Sequence, residues 1–541
     1  MCTICGHFVK TGERKTNDIY EMLAKMGHRG PDRHGIFLDG QVVRARELEE
    51  LQPAALRSGK IALGHSRLTI VGQGAETQPY ESCDGKLVLI HNGEIYNYQK
   101  LRTLLMRDHS LKSTSDSEVI IHLMEETYRG DLLDAVRKVI GLLDGMYSLA
   151  VTDGKSIVVA RDPIGKKPLY FLEREDVTYF ASEKKALWNG EDTPTRLHPG
   201  ELLHLSDDGA EVHQGFPLQL PQIDITDFRR AVDLYKETLC TAIGKRLSGL
   251  GDMPLGIIFS GGIDSVLVAK LLQREGRNIF CYCTGTEDSG DVRAAREVAE
   301  DLGLPLKTTI IDEAMVENLL PTIVREVEEC GLLQVEVAIP MYLAAQMGAE
   351  DGIRVMFTGQ GADEIWAGYP WYSDVIAADG YLRLHEKLWE DLNYLYTDTL
   401  EREDKLTMAH SVELRAPYLD RDVIQMAMRV SPRLKIQGVK DPFRKRVHRQ
   451  AAVELGVPSY LSYRIKDPAQ TGSGIHEIIK RIARRKLSGV DSALAERNMA
   501  RDKGSLYRYG DEEYGEDLSR TLLQQIEEEI RRAYIPSFLG A

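Results

Sequence analysis

The 541-residue chain contains no run approaching the ~20 apolar residues that a membrane-spanning helix needs. Its first residues lack a charged stretch followed by an apolar core, so no secretory signal is expected. Positive charge is in deficit: 68 Lys and Arg face 83 Asp and Glu, a net charge of -15. A nucleic-acid-binding face calls for the opposite balance. Neither nucleic acid nor membrane is therefore expected as a partner. Cysteine is sparse as well, with seven residues at 2, 5, 83, 240, 281, 283 and 330. An odd, scattered set without an export signal reads as reduced thiols in a cytoplasmic protein. Cys2 and Cys5 form a CxxC. A zinc site would want a second ligand pair, and the sequence offers none nearby.

What is present is the composition of a globular protein, 43% hydrophobic with a mean hydropathy of -0.28. The length exceeds what one core supports, so two or more domains are expected. Short alternating or apolar runs fill residues 2–205, among them KLVLIHNGEIYNY, MYSLAVTDG and LYFLEREDVTYFASE, and predict a β-rich α+β domain. Periodicity fades over 200–228, where Pro, Asp and Gly collect, and a linker is placed at 206–228. From 229 to 541, apolar strand-like runs (PLGIIFS, IFCYCTG) alternate with helical ones (SVLVAKLLQ, DVRAAREVAEDLG), the βαβ signature of a parallel sheet. A charged segment, expected to be helical, ends the chain.

Two stretches carry chemistry. The chain opens MCTICGHF, so removal of Met1 would leave Cys2 with a thiol and a free α-amine in one residue. That amine titrates near pH ~8 and can take a proton at neutral pH, which joins a nucleophile to its own general base. The second stretch is PLGIIFSGGIDSVLVAKLL. A buried strand ends in Ser260-Gly261-Gly262-Ile263-Asp264-Ser265, and a helix comes next. Two glycines let backbone N–H groups approach an anion, and the helix N-terminus adds its dipole. Asp264 would repel a bare phosphate but suits a Mg²⁺ ion bridging phosphates. The lysine of a Walker loop is missing. SGGxDS is the pyrophosphate loop of the N-type ATP pyrophosphatases.

Further motifs extend this: HRGPD, LGHSRLTIVG, HNGEIYN, SDSE and RDPIGKKPLYF in the first half, with TGQGADEIWAGY, MAHSVELRAPYLD and YRIK in the second. In this order and spacing they resemble the glutamine-dependent asparagine synthetase family, from Cys2 to about residue 475. The resemblance implies an N-terminal nucleophile glutaminase with an αββα sandwich, followed by an ATP pyrophosphatase-like α/β synthetase domain. It assigns Cys2 as nucleophile, with Asn92 and Gly93 forming the oxyanion hole. Arg67, Leu68, Thr69, Ile70, Val71, Glu94 and Asp116 join Asn92 and Gly93 in holding glutamine. ATP falls to Phe259, Ser260, Gly261, Gly262, Asp264, Ser265, Thr284, Thr358 and Gly359, and Mg²⁺ to Asp264 and Asp363. Lys466 would neutralise departing pyrophosphate, with Lys440 and Arg444 as candidate additions to that field. Ammonia would pass between the sites to a carboxylate acceptor, aspartate in the leading reading. A homodimer is a further expectation.

Three positions depart from the family pattern. Thr3 replaces a glycine beside the nucleophile. Gln360 stands where bacterial members have a glutamate proposed as base for the attacking ammonia. Glu336 stands where they have an arginine suited to an acidic acceptor. Glu336 and Gln360 therefore mark the acceptor pocket. They leave open a relocated base (Glu336, Glu413, water or pyrophosphate) or a different carboxylate acceptor. A non-catalytic binding protein on the same fold is a further reading, opposed by the presence of Cys2, Asn92, Asp264 and Lys466.

Overall fold

The computed structural model describes residues 2–72, 77–188, 192–464, 474–487 and 514–533. Lys466 lies outside them.

The first domain is two antiparallel sheets packed face to face with helices outside. The first sheet has seven strands, with Cys2–Val9 at its centre between Val177–Ala181 and Ile61–Arg67. Period-two alternation sorts its side chains. Ile4, Phe8, Ile61 and Leu63 face the second sheet, whereas Cys5, Val9 and Ala62 face a helical layer led by Asn17–Lys25. The second sheet has six strands and repeats the pattern. Val88, Ile90, Ala150, Val159 and Leu203 meet the first sheet. Leu89, Leu149, Val151 and Val158 meet the helices Tyr98–Leu105, Glu118–Thr127 and Leu132–Ile140. Helix, sheet, sheet and helix thus form the expected αββα sandwich. Gly209–Gln214 pairs with Glu201–Ser206 as the edge of the second sheet, so that sheet continues past the point where sequence periodicity fades.

The second domain begins with the helix Phe228–Leu247, capped by Asp227, whose side chain accepts from Arg230 N at 2.8 Å. Its sheet has five parallel strands in the order Leu306–Ile310, Ile279–Gly285, Leu255–Ile258, Val355–Phe357, Glu413–Arg415. The chain moves outward from Leu255–Ile258 on one side, then returns to continue on the other. That reversal makes a crevice at the carboxyl ends of Leu255–Ile258 and Val355–Phe357, where open α/β sheets bind ligands. No single helix among the described residues is long and apolar enough to cross a membrane.

The domains meet through buried charge. The first domain brings Arg29, Arg161, Lys167, Lys185 and Arg196; the second brings Glu326, Glu401 and Asp404. Arg29 bridges Glu183 at 2.8 Å and Asp404 at 2.6 Å, with all three side chains buried. Lys167 meets Asp404 at 3.1 Å, Arg161 and Arg196 each meet Glu401 at 2.9 Å, and Lys185 meets Glu326 at 2.5 Å. At the rim, Arg354 forks onto both oxygens of Asp32 at 2.6 and 3.0 Å. Removing one member of a buried ionic set strands its partners, at about 3–5 kcal/mol. Arg29→Met should lower the stability of the full chain by about 3 kcal/mol, read from the denaturant midpoint. A loss under about 1 kcal/mol would mean the set contributes no more than surface pairs do.

Candidate functional site

Cys2 starts the central strand and lies opposite Arg67 in the neighbouring strand. Its backbone N donates to Asn92 Oδ1 at 3.0 Å. That contact turns the Asn92 amide so that Nδ2 lies on the other side, 3.4 Å from Ser148 Oγ. Burial pushes the Cys2 thiol above its ordinary value, while the Leu68 backbone N–H and the Arg67 guanidinium pull it down. Gly93 is required by close approach, since a Cβ there would sit 2.0 Å from Met146 O. The departure at Thr3 is absorbed: the side chain is buried and its hydroxyl donates to Met26 O at 3.2 Å.

The segment after Arg67 folds over this centre. Leu68, Ile70 and Val71 are buried, Arg67 Nη2 donates to Val71 O at 3.2 Å, and Thr69 N donates to Asp32 at 2.8 Å. Two buried carboxyls flank it. Burial pushes Asp116 up to about 6, against the Ile95 N–H that donates to it at 2.8 Å. Burial, together with Glu413 and Asp116, pushes Glu94 well above the usual carboxylate range, although Arg415 of the second domain lies 3.5 Å away. A cationic ligand group between Glu94 and Asp116 would relieve both. The residues the sequence assigned to the first site thus converge on Cys2 from two strands and two loops.

The second set converges at the sheet crevice. A cavity of about 170 Å³ is lined by Phe259, Ser260, Asp264, Ser265, Thr284, Thr358, Gly359, Gln360 and Asp363, among others. Gly261 has φ +67°, and a Cβ there would meet the Ala294–Ala295 backbone at 2.7 Å, so glycine is needed where the loop turns. Ser265 Oγ donates to Gly262 O at 3.1 Å and Thr284 Oγ1 to Pro340 O at 2.8 Å. Glu336 is placed differently from Gln360. Val337 and Pro340 of its helix, Leu332–Glu350, line the cavity, while Glu336 is buried and pairs with His476 Nδ1 at 2.6 Å. Of the two added basic residues, Lys440 is exposed, and Arg444 donates to Gly368 O at 2.9 Å.

Four functional candidates escaped the sequence. Lys445 Nζ lies between the two aspartates, 2.8 Å from Asp264 and 2.7 Å from Asp363, and His448 Nε2 lies 3.1 Å from Asp264. Lys445 sits in KDPFRKR, where nothing in the spacing separates it from Lys440 and Arg444. Both Arg444 and Lys445 hold left-handed backbone, φ +48° and +49°, strain of the kind that gathers at functional sites. Arg415 reaches across to Glu94. Glu403 is buried on the helix Glu401–Met408, and neither carboxylate oxygen completes a hydrogen bond of ordinary geometry. Burial pushes it up to about 8; Arg402 restrains that rise, Glu364 adds to it, and the neighbouring Gln360 side chain lowers it. Glu364 is itself pushed up to about 7 by burial and by Asp363, while accepting from Tyr369 OH at 2.7 Å.

Comparison with known proteins agrees with both halves. A glutamine amidotransferase domain family matches residues 1–48 and 52–212, and an asparagine synthase family matches 234–379 and 376–520. A relative from Methanocaldococcus jannaschii is 33% identical over 90% of this chain and 96% of its own length. Asparagine synthetase (glutamine-hydrolyzing) 2 of Oryza sativa subsp. japonica is 30% identical over 85% of this chain and 75% of its own. Asparagine synthetase (glutamine-hydrolyzing) 3 of Arabidopsis thaliana is 29% identical over 88% and 79%. The chain belongs to the glutamine-hydrolysing asparagine synthetase family.

Proposed function

We propose that the protein makes asparagine from aspartate, with ATP activating the side-chain carboxylate and glutamine supplying the nitrogen. The observation that carries this reading is the coexistence, in one docked chain, of the Cys2 centre and the crevice where the Ser260–Ser265 and Thr358–Asp363 loops meet. Aspartate is favoured over other carboxylates by the relatives named for asparagine synthesis, whose matches cover 85–90% of this chain.

In the first half-reaction, with Met1 removed, the Cys2 amine takes the thiol proton and the thiolate attacks the glutamine side-chain amide. Asn92 Oδ1 holds that nitrogen 3.0 Å away, so the base keeps its place. Charge developing on the amide oxygen is met by the Asn92 Nδ2 and Gly93 N–H groups, each such donor being worth ~3 kcal/mol of barrier. Arg67 clamps the α-carboxylate as a planar fork, and Glu94 and Asp116 receive the α-ammonium. Ammonia leaves, and water releases glutamate from the thioester.

In the second, the Ser260–Ser265 loop and the helix it opens bind the phosphates of ATP. The residues fit a divalent cation, because Asp264 and Asp363 already share one positive charge, the Lys445 ammonium. They would hold Mg²⁺, a hard cation that oxygen ligands suit and that offsets phosphate charge. Lys445, and Lys466 by its place in YRIK, supply positive charge toward the leaving pyrophosphate. When ammonia adds to the activated carboxylate, its nitrogen must shed a proton, and Gln360 cannot accept one. Glu403 takes that part. Its neighbours on the same helix, Glu401 and Asp404, face the glutaminase domain, while Glu403 itself lies beside Gln360 of the crevice lining. Nitrogen bonds to the acyl carbon, the proton passes to the Glu403 carboxylate, and AMP departs. A base poised near the working pH is the effective one.

Incubation with ATP, Mg²⁺ and glutamine, with and without aspartate, tests the assignment. Aspartate-dependent AMP with equimolar asparagine is expected, and glutamate release without it would redirect the search to another acid. Cys2→Ala should abolish the glutamine-driven reaction and keep the ammonia-driven one. Glu403→Gln should keep aspartate-dependent exchange of pyrophosphate into ATP, yet slow ammonia-driven amide formation about 10²-fold or more. In the wild type, at a fixed concentration of free NH₃, that rate should rise with pH through about 8, as the carboxyl ionises. Glu403→Gln should flatten this rise; an unchanged profile would remove Glu403 from the proton path.

A further inference from the structure

Cys83, His109, His122 and Glu125 belong to three separate segments and to neither site described above. Cys83 lies in the turn between strands Tyr80–Glu81 and Val88–Ile95. His109 comes after the helix Tyr98–Leu105, and His122 and Glu125 share one face of the helix Glu118–Thr127. Their donor atoms all fall within 4.8 Å of one another. Cys83 Sγ is 3.7 Å from His109 Nδ1 and 3.7 Å from His122 Nδ1. Glu125 Oε2 is 3.4 Å from His109 Nδ1 and 3.2 Å from His122 Nδ1.

These match four of the six edges of a coordination tetrahedron. With zinc bonds of about 2.3 Å to sulfur and 2.0–2.1 Å to nitrogen or oxygen, tetrahedral geometry sets S···N near ~3.5 Å and N···O near ~3.3 Å. The imidazoles are also held from behind. His122 Nε2 is directed at Glu118 Oε1, 3.8 Å away, and His109 Nε2 at Glu126 Oε1, 3.3 Å away. A carboxylate behind a ligating histidine fixes its tautomer and leaves Nδ1 free to bind metal. Glu118 is in turn fixed by the Lys112 and Ser113 backbone N–H groups at 2.6 and 2.8 Å. A thiolate, a carboxylate and two neutral imidazoles carry two negative charges, the match for one divalent ion. Hydrogen bonding alone gives a poorer account: one oxygen, Glu125 Oε2, faces both Nδ1 atoms and also accepts from Cys83 N at 3.1 Å.

We propose that Cys83, His109, His122 and Glu125 bind one Zn²⁺ ion in a closed, structural site, the Cys83 thiol giving up its proton to solvent as the metal enters. With all four positions filled by protein, no place remains for a reacting water, so the site braces rather than catalyses. What it braces is the frame of the glutamine centre. Val88–Ile95 carries Asn92, Gly93 and Glu94, and Asp116 lies two residues before the helix that supplies His122 and Glu125.

The full-length protein, freed of metal with a chelator and dialysed against Zn²⁺, should retain one zinc per chain by elemental analysis. Its thermal midpoint should rise by several degrees over the metal-free form. Co²⁺ in place of Zn²⁺ should give the visible bands of a tetrahedral site and a thiolate-to-cobalt charge-transfer band. Cys83→Ser should lose the charge-transfer band and the thermal shift, whereas Cys240→Ser should keep both. Cobalt-loaded wild type without a charge-transfer band would overturn the proposal, even were Cys83→Ser too unstable to purify. So would equal, substoichiometric zinc in wild type and Cys83→Ser.

Discussion

The structure depends on charge buried between its two domains. Taking Arg29, Glu183, Asp404, Lys167, Arg161 and Glu401 out of water costs several kcal/mol for each ion, repaid only where partners align. One docking orientation satisfies Arg29 between Glu183 and Asp404, Arg161 and Arg196 on Glu401, and Lys185 on Glu326 together. Such a set acts less as glue than as a register. It also orders the chemistry, because the segments it fixes lead to both sites. Arg29 lies next to Cys2, and its Nε donates to the Cys2 carbonyl at 3.4 Å. The Arg354–Asp32 fork joins the Thr69 loop over the glutamine centre to the strand Val355–Phe357, which leads into Thr358 and Gly359.

The crevice is organised on a different principle, crowding of like charge. Asp264 and Asp363 approach a common point, and without a counterion that approach would be repulsive. Lys445 supplies one, and it reaches there from a backbone in the left-handed region at two successive residues. The same loop is therefore strained and charged in the service of a place where phosphate and cation would be exchanged for the ammonium. Glu364 and Glu403 lie behind it as two buried carboxyls, each raised by burial and further by a carboxylate neighbour.

Much of this was legible in the sequence, and the reasons differ by feature. Strands were readable where short apolar runs are broken by turn residues, as in KLVLIHNGEIYNY, which holds Val88–Ile95, and LYFLEREDVTYFASE, which holds Tyr170–Glu173 and Val177–Ala181. The Ser260–Ser265 loop was readable because close backbone approach demands glycines at fixed spacing. The interdomain set was not, since Arg29 and Asp404 are 375 residues apart and each alone reads as a surface charge. Glu336 was selected because it stands at the place of a family arginine, but the helix turns Val337 and Pro340 to the cavity and commits Glu336 to His476. Cys83 was read as one of a scattered set, because its neighbours His109 and His122 arrive through helix packing and share no local motif with it.

The exchange of glutamate for Gln360 gains a physical reading from the helix that carries Glu403. A π-helical turn, Tyr396–Leu400, immediately precedes Glu401–Met408. Such turns insert a residue into the helical repeat and rotate the helix on their C-terminal side, often at functional sites. Here the rotated segment presents Glu401 and Asp404 to the basic face of the glutaminase domain while Glu403 turns toward Gln360 and Glu364. A base on the crevice loop would answer only to the synthetase domain. On this helix its position is set by the same ion pairs that dock the glutaminase, so the base proposed for the ammonia proton is held by the contacts that place the ammonia source. A carboxylate on the helix in place of the loop would tie the second reaction to the assembled state of the first.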